Sequence, residues 1–452
     1  MPERVLYKLL DPFCYIFMAL ALNYCLCGKS LFMIAKPESL LVVEGKAFVG
    51  SEFVRRRIEI DLESRLITQV ADTRGTGDLV LDDDHLVFPG FIDFHVHARE
   101  DPSGSDNYKE TFQSAGEAAI HGGVVAVVDM PNNPEPPVDD QSYLAKKELA
   151  KSAPVDIHLY AGIGPGTRPL SFPAPYKAYM GPSVGQLFFE DDDTLRQAAA
   201  HYRGKWVGFH AESPEILRQN QNRRTHHERR PPEAESTAVQ FALDLARDFG
   251  IHPHICHLST ADGFRAIAAA RQQGFPATCE VTPHHLMFDL EMMTTHSRAG
   301  LYQCNPPIRS REDRLVLLEA FQRGEIDFLA TDHAPHSLEE NEGGISGIPH
   351  LDTFGPFVFW LREQGVPWKT IVSAVSESPG KALSRFAPNP YGRIEEGFVG
   401  SLTILNAKRP RTLRRHGLRT RAGWSPFEGM GFSGSVSHTV VMGKVHPAPP
   451  DV

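Results

Sequence analysis

The sequence predicts an α/β fold, a parallel sheet covered by helices. Three observations predict it. Between Phe91 and Thr331, apolar runs nearly free of charge alternate with longer amphipathic segments. Strands that read as continuous apolar runs belong to sheets buried on both faces. The runs number eight, the count for a closed (β/α)8 TIM-like barrel, with an open doubly wound sheet as the alternative. The flanking segments carry short, often β-branched runs with Gly and Asp turns, which predicts a small β-sandwich domain built from the N- and C-terminal segments.

Residues 1–37 are an apolar extension, densest from Pro12 to Leu26. Asp11 and Asn23 interrupt or abut the run, and it falls short of the ~20 apolar residues a spanning helix needs. The expectation is that the functional chain starts near Met33. Residues 38–87 supply strands at Leu40–Val43, Phe53–Ile60 and Leu66–Val70. Residues 88–387 form the barrel, with strands at Phe91–Val96, Val124–Met130, Asp156–Ile163, Tyr176–Met180, Trp206–Ala211, His254–Leu258, Ala277–Val281 and Asp327–Thr331. Helical patterns follow at Lys109–His121, Gln141–Lys151, Thr194–His201, Glu233–Phe249, Ala261–Gln273 and Arg311–Arg323. Residues 388–452 return to strand texture at Ser401–Asn406 and Ser435–Met442, joined by a basic stretch around Arg409 to Arg421. The dense charges of Asn222 to Arg230 read as a solvated surface.

Composition narrows the function. The chain has 452 residues, 41% of them hydrophobic and 23% charged, enough for a large core. A net charge of −10 argues against a nucleic-acid binder or a protein drawn to anionic lipid. A mean hydropathy of −0.27 excludes a polytopic membrane protein. Six Cys without repeated spacing read as reduced thiols and a cytoplasmic location. Cys25-Leu26-Cys27 has no second pair nearby and reads as incidental.

Histidine is abundant, at 21, and its placement is the main clue. In Phe91-Ile-Asp-Phe-His95-Val-His97-Ala-Arg99 the two imidazoles occupy positions i and i+2, the same side of a strand. They suit a divalent metal at the strand's C-terminal end, where barrel enzymes keep their sites. Taken alone, the pair is weak evidence and reads more readily as hydrogen-bonded or exposed histidines. Similar signals recur at later strand ends: His210, His257 and Asp332. Lys177 sits inside another apolar run, where its charge is costly unless paired or removed; a snorkelling surface lysine is the alternative.

These residues carry a resemblance. From about Leu40 to Lys444 the chain resembles the cyclic amidohydrolases, and most closely the dihydroorotases. PGFIDFHVHARE, DMPNNPEPP, YKAYMG, FHAES, HICHLS, EVTPHHL, CNPPIR, ATDHAPH and GWSPFEG occur in the family's order. The resemblance implies a two-zinc site in which His95, His97 and Asp332 hold one ion, His210 and His257 the other, and a carboxylated Lys177 bridges both. It implies reversible opening of the dihydroorotate ring to N-carbamoyl-L-aspartate, with Asp332 as proton shuttle. Arg99, Asn132 and His336 would bind the substrate carboxylate; Asn305 is a weaker candidate for the ring, and Arg309 weaker again. It further implies a homo-oligomer, with aspartate transcarbamoylase as a candidate partner. The alternatives are an allantoinase or hydantoinase, or an inactive scaffold for the transcarbamoylase. Ala98 and His350 depart from the family's usual Leu and Gly, and Glu100 to Asn107 carries extra residues.

Overall fold

A computed structural model describes residues 39–182, 187–295 and 299–448. The apolar extension and the expected start near Met33 lie outside the described residues. Among those described, no helix is long and apolar enough to cross a membrane.

The N-terminal part forms β1 (Leu40–Val49), β2 (Glu52–Asp61), β3 (Ile67–Ala71), β4 (Leu79–Val80) and β5 (His85–Pro89). All eight apolar runs of the central region become strands, nine in number because the run Asp156–Ile163 is divided at Tyr160. They are β6 (Phe91–Val96), β7 (Val124–Asp129), β8 (Asp156–Leu159), β9 (Ala161–Ile163), β10 (Tyr176–Tyr179), β11 (Trp206–His210), β12 (His252–Ile255), β13 (Thr278–Val281) and β14 (Phe328–Leu329). The C-terminal part adds β15 (Leu402–Asn406), β16 (Arg411–Thr412), β17 (Gly431–Phe432), β18 (Ser435–Val441) and β19 (Lys444–Pro447).

The central strands pair in parallel. One sheet has the order β6-β7-β8 and the other β9-β10-β11-β12-β13-β14. Only Tyr160 separates β8 from β9, and its N–H donates to Asp129 O at 2.9 Å, so one run of chain serves both sheets. Just past β14, Val96 and His333 form a parallel bridge, and His97 N donates to His333 O at 2.8 Å. The fold is therefore mixed α/β with parallel sheets and helices between the strands.

Helix starts follow their caps. The Thr111 side chain accepts from Ser114 N, so the first helix begins at Phe112 rather than at the expected Lys109. Asp139 does the same for Asp140–Ala150, and Ser310 for Arg311–Gln322. Helix Pro232–Phe249 buries Ala234, Ala238, Val239, Ala242, Leu243 and Ala246, the three- and four-residue spacing of one face.

The main core collects aromatic rings from several parallel strands. Phe94 meets Trp206 at 5.3 Å, Phe328 at 5.2 Å and Tyr160 at 6.0 Å between ring centroids. A second, smaller apolar cluster includes Val43, Ile58, Ile60, Val87, Ile404 and Val440. Its strands come from both chain ends and share one eight-stranded sheet of order β19-β18-β15-β5-β1-β2-β3, with β4 beside β1. The two ends meet where β5 pairs antiparallel with β15, Leu402 opposite Pro89.

Candidate metal centre and substrate cleft

The site is built from residues at the C-terminal ends of the parallel strands. In β6 the register against β7 slips between Asp93 and Val96, so one extra residue is accommodated there. Such a bulge resets the alternation of side chains. Phe94 can thus join the aromatic core while His95 and His97 both face the site.

Buried partners behind the rings fix which nitrogen each presents. His95 Nδ1 donates to Glu280, which also accepts from His254 Nε2 at 3.0 Å and from His257 N at 3.0 Å. Burial pushes the Glu280 carboxyl upward, but His95 and His254 outweigh it and hold it well below the carboxylate range. His97 Nδ1 donates to Asn132 Oδ1 at 2.7 Å. Burial holds the His95 imidazole down to about 4, and His97 and His257 well below their ordinary value, so the rings are neutral near pH 7. The bare Nε2 atoms of His95 and His97 then face Asp332 Oδ1 at 3.2 and 3.0 Å. Two lone pairs pointed at a carboxylate oxygen repel each other unless a cation sits between them. That donor set fits a divalent ion.

A second pair lies alongside. His210 Nε2 donates to Glu212 Oε2 at 2.9 Å, which turns His210 Nδ1 toward His257 Nε2 at 2.8 Å. Burial pushes the Glu212 carboxyl up, but Arg230 and His210 hold it at about 2. The two facing nitrogens can share a proton or, both bare, a cation. The His95 and His257 rings are 5.2 Å apart, which joins the two groups in one centre. Lys177, in register with Gly208 of β11, is fully buried, and its Nζ has no hydrogen-bond partner. An unpaired ammonium in this position is costly.

Arg99 lies beside this cluster. Its Nε donates to Pro335 O at 3.1 Å and its Nη2 to His336 Nε2 at 3.0 Å. His95, His97, Arg99, Asn132, Asn305 and Asp332 line one cleft, joined by Tyr179, His210, His257 and Ser346. Asn305 Oδ1 is buried there without a partner. Arg309 is placed elsewhere: its Nε donates to Ser259 Oγ at 3.0 Å. Arg99, His257 and Asp332 have φ of 65°, 36° and 50°, the left-handed region. Each such residue costs on the order of 1–3 kcal/mol, and strain of this kind gathers at functional sites.

Sequence reasoning missed the supporting shell. Glu280 and Glu212 stood inside quoted motifs, and the signal was available: ligating histidines need a carboxylate or carbonyl behind them. The reading of Asn222 to Arg230 as a solvated surface holds for most of the segment but needs correction at His226 and Arg230. Arg230 reaches inward to Glu212, and His226 Nε2 donates to Cys304 O at 3.0 Å. Charge density along the chain cannot reveal a partner supplied by another strand. Ser346 was equally invisible, because only the fold brings it to the cleft.

Comparison with known proteins gives the family. Residues 86–446 match the amidohydrolase family. The chain belongs to that family. This amidohydrolase is 31% identical to a dihydroorotase of Pyrococcus furiosus, over 90% of this chain and 92% of the other. It is 33% identical to a dihydroorotase of Archaeoglobus fulgidus, over 86% and 92% of the two chains. A dihydroorotase of Staphylococcus aureus is 31% identical, over 90% and 98%. Among solved structures, the L-hydantoinase of Arthrobacter aurescens superposes with a TM-score of 0.82 at 24% identity, covering 91% of this amidohydrolase and 97% of that chain.

Proposed function

We propose that this amidohydrolase is a dihydroorotase, interconverting dihydroorotate and N-carbamoyl-L-aspartate in de novo pyrimidine biosynthesis. One observation carries the choice of substrate: buried Arg99 lines the same cleft as the metal-type cluster. A guanidinium has five N–H donors, and two of them are used by Pro335 and His336. The remainder suit a carboxylate, which dihydroorotate carries on its ring. Hydantoin and allantoin have no carboxylate and would leave this charge unmatched. The relatives named dihydroorotase support the same choice.

His95, His97 and Asp332 would hold one zinc ion and His210 and His257 the other, with Lys177 between them. Lys177 would enter as a carbamate, its Nζ bonding the carbon of carbon dioxide as its N–H protons leave to solvent until one remains; the orphaned Nζ supports this. Zinc held there would supply Lewis acidity for the ring carbonyl and a lowered pKa for the attacking water. The protein's own groups do the rest. Asp332 turns Oδ1 to the imidazoles, so Oδ2 takes the water proton and passes it to the departing ring nitrogen. Arg99 and Asn132 seat the carboxylate, with His336 holding Arg99 from behind, and Asn305 meets the ring. Ring closure runs the same proton path backwards.

The same reading carries a closed (β/α)8 barrel, supported by the Val96–His333 bridge, and beside it a small β-sandwich, supported by the separate apolar cluster. It also carries a cytoplasmic homo-oligomer able to dock with aspartate transcarbamoylase, which rests on the sequence resemblance. Assay of the purified enzyme on dihydroorotate, allantoin and hydantoin side by side tests the reading. Turnover of dihydroorotate far above the others is expected. Preference for a ring without a carboxylate overturns it, and no turnover together with no bound zinc would favour the inactive scaffold.

A further inference from the structure

The loop Ala334–His336 carries both acceptors that hold Arg99: Pro335 O and His336 Nε2. What holds the loop is remote in sequence. Trp424 is 2% exposed, and its Nε1 donates to His336 O at 2.9 Å. Trp424 belongs to the stretch between β16 and β17, which is fastened down at other points. Asp352 accepts from Arg419 N at 2.7 Å and Thr420 N at 3.1 Å. Tyr302 OH donates to Pro426 O at 3.0 Å. The Phe427 ring lies 5.2 Å from both Phe288 and His350.

We propose that Trp424 is a positioning residue for carboxylate recognition, its indole N–H fixing His336 and through it the aim of Arg99. This inference rests on the dihydroorotase reading. The indole bonds the backbone of the residue whose ring receives Arg99 Nη2, so a slack His336 backbone displaces the fork. The metal-type cluster does not depend on this bond. Its Asp332 segment is held separately, by His97 N on His333 O at 2.8 Å and by Thr331 N on Asp93 Oδ1 at 3.0 Å. Loss of the indole donor therefore weakens substrate binding and spares the chemical step.

The test compares the zinc-loaded wild type with Trp424→Phe and Tyr302→Phe on dihydroorotate, reading KM, kcat and zinc per chain. Trp424→Phe is expected to raise KM roughly three- to tenfold, the effect of one hydrogen bond, with kcat within about twofold and zinc content unchanged. Tyr302→Phe removes a bond to the same stretch but not to His336, and its KM is expected to stay at the wild-type value. If Trp424→Phe does not fold, 3-benzothienyl-alanine at position 424 keeps the ring and removes only the N–H. Unchanged KM, a fall in kcat with loss of zinc, or an equal KM rise in Tyr302→Phe overturns the inference alone. A wild type that does not turn over dihydroorotate overturns the functional reading, and this inference with it.

Discussion

Asp332 Oδ1 meets two imidazole nitrogens within 3.2 Å because something stands behind each ring: Glu280 for His95 and Asn132 for His97. Supports of this kind typically contribute 10- to 100-fold to metal affinity. Glu280→Gln is therefore expected to weaken zinc binding by roughly 10- to 100-fold, read by competition with a chelator; unchanged affinity would mean that His95 needs no support. Arg99 makes no bond to that cluster. Arg99→Ala should lower kcat/KM for dihydroorotate by roughly a hundredfold or more, the effect of unpairing a buried charge, at unchanged zinc content. A variant that lost its zinc would show that the carboxylate role is wrong. At this scale the motifs made the candidate metal-binding positions legible. They did not reveal Glu212, Arg230 or Ser346, whose roles exist only through neighbours distant in sequence.

At the scale of elements, the strand ends do the positioning. The apolar runs were legible because a strand buried on both faces carries few charges, and those it does carry, such as Lys177 and Glu280, stand out. The bulge in β6 was not, because only pairing with β7 shows that an extra residue is taken up there. The cleft wall also depends on a close approach between two loops. Gly347 has φ of 153°, and a Cβ there would stand 2.3 Å from Ala334 O and 2.8 Å from His336 Cδ2. Gly347→Ala should cost about 2 kcal/mol and lower the thermal midpoint, measured by calorimetry. A midpoint equal to the wild type would mean that the 334–336 loop yields without strain.

Across the whole molecule, the stretch between β16 and β17 is tied to the central region through buried carboxylates. Asp352 accepts from His121 Nδ1 at 2.7 Å as well as from the two backbone N–H groups near Arg419. Burial pushes its carboxyl up, but these donors outweigh it and hold it below its ordinary value. A carboxyl depressed in the folded state stabilises above its unfolded pKa, and that stability is lost as pH falls through the folded value. The window therefore lies below about pH 4. Asp352→Asn is expected to be about 2 kcal/mol less stable at neutral pH and to lose less stability than the wild type on acidification from pH 5 to 3. Parallel acid limbs for the two proteins would show that another group governs the transition.

The sequence by itself carried the alternation of eight apolar runs with helical segments that folds into parallel sheets, and it singled out His95, His97, Lys177, His210, His257 and Asp332 as candidates. These are properties of local pattern, fixed by side-chain periodicity and burial. Only the tertiary structure decided which nitrogen each imidazole presents, how Glu280, Glu212 and Arg230 support the rings, and that Trp424 reaches His336. Those depend on hydrogen bonds between segments far apart in the chain, and the direction of a bond is set by both ends at once.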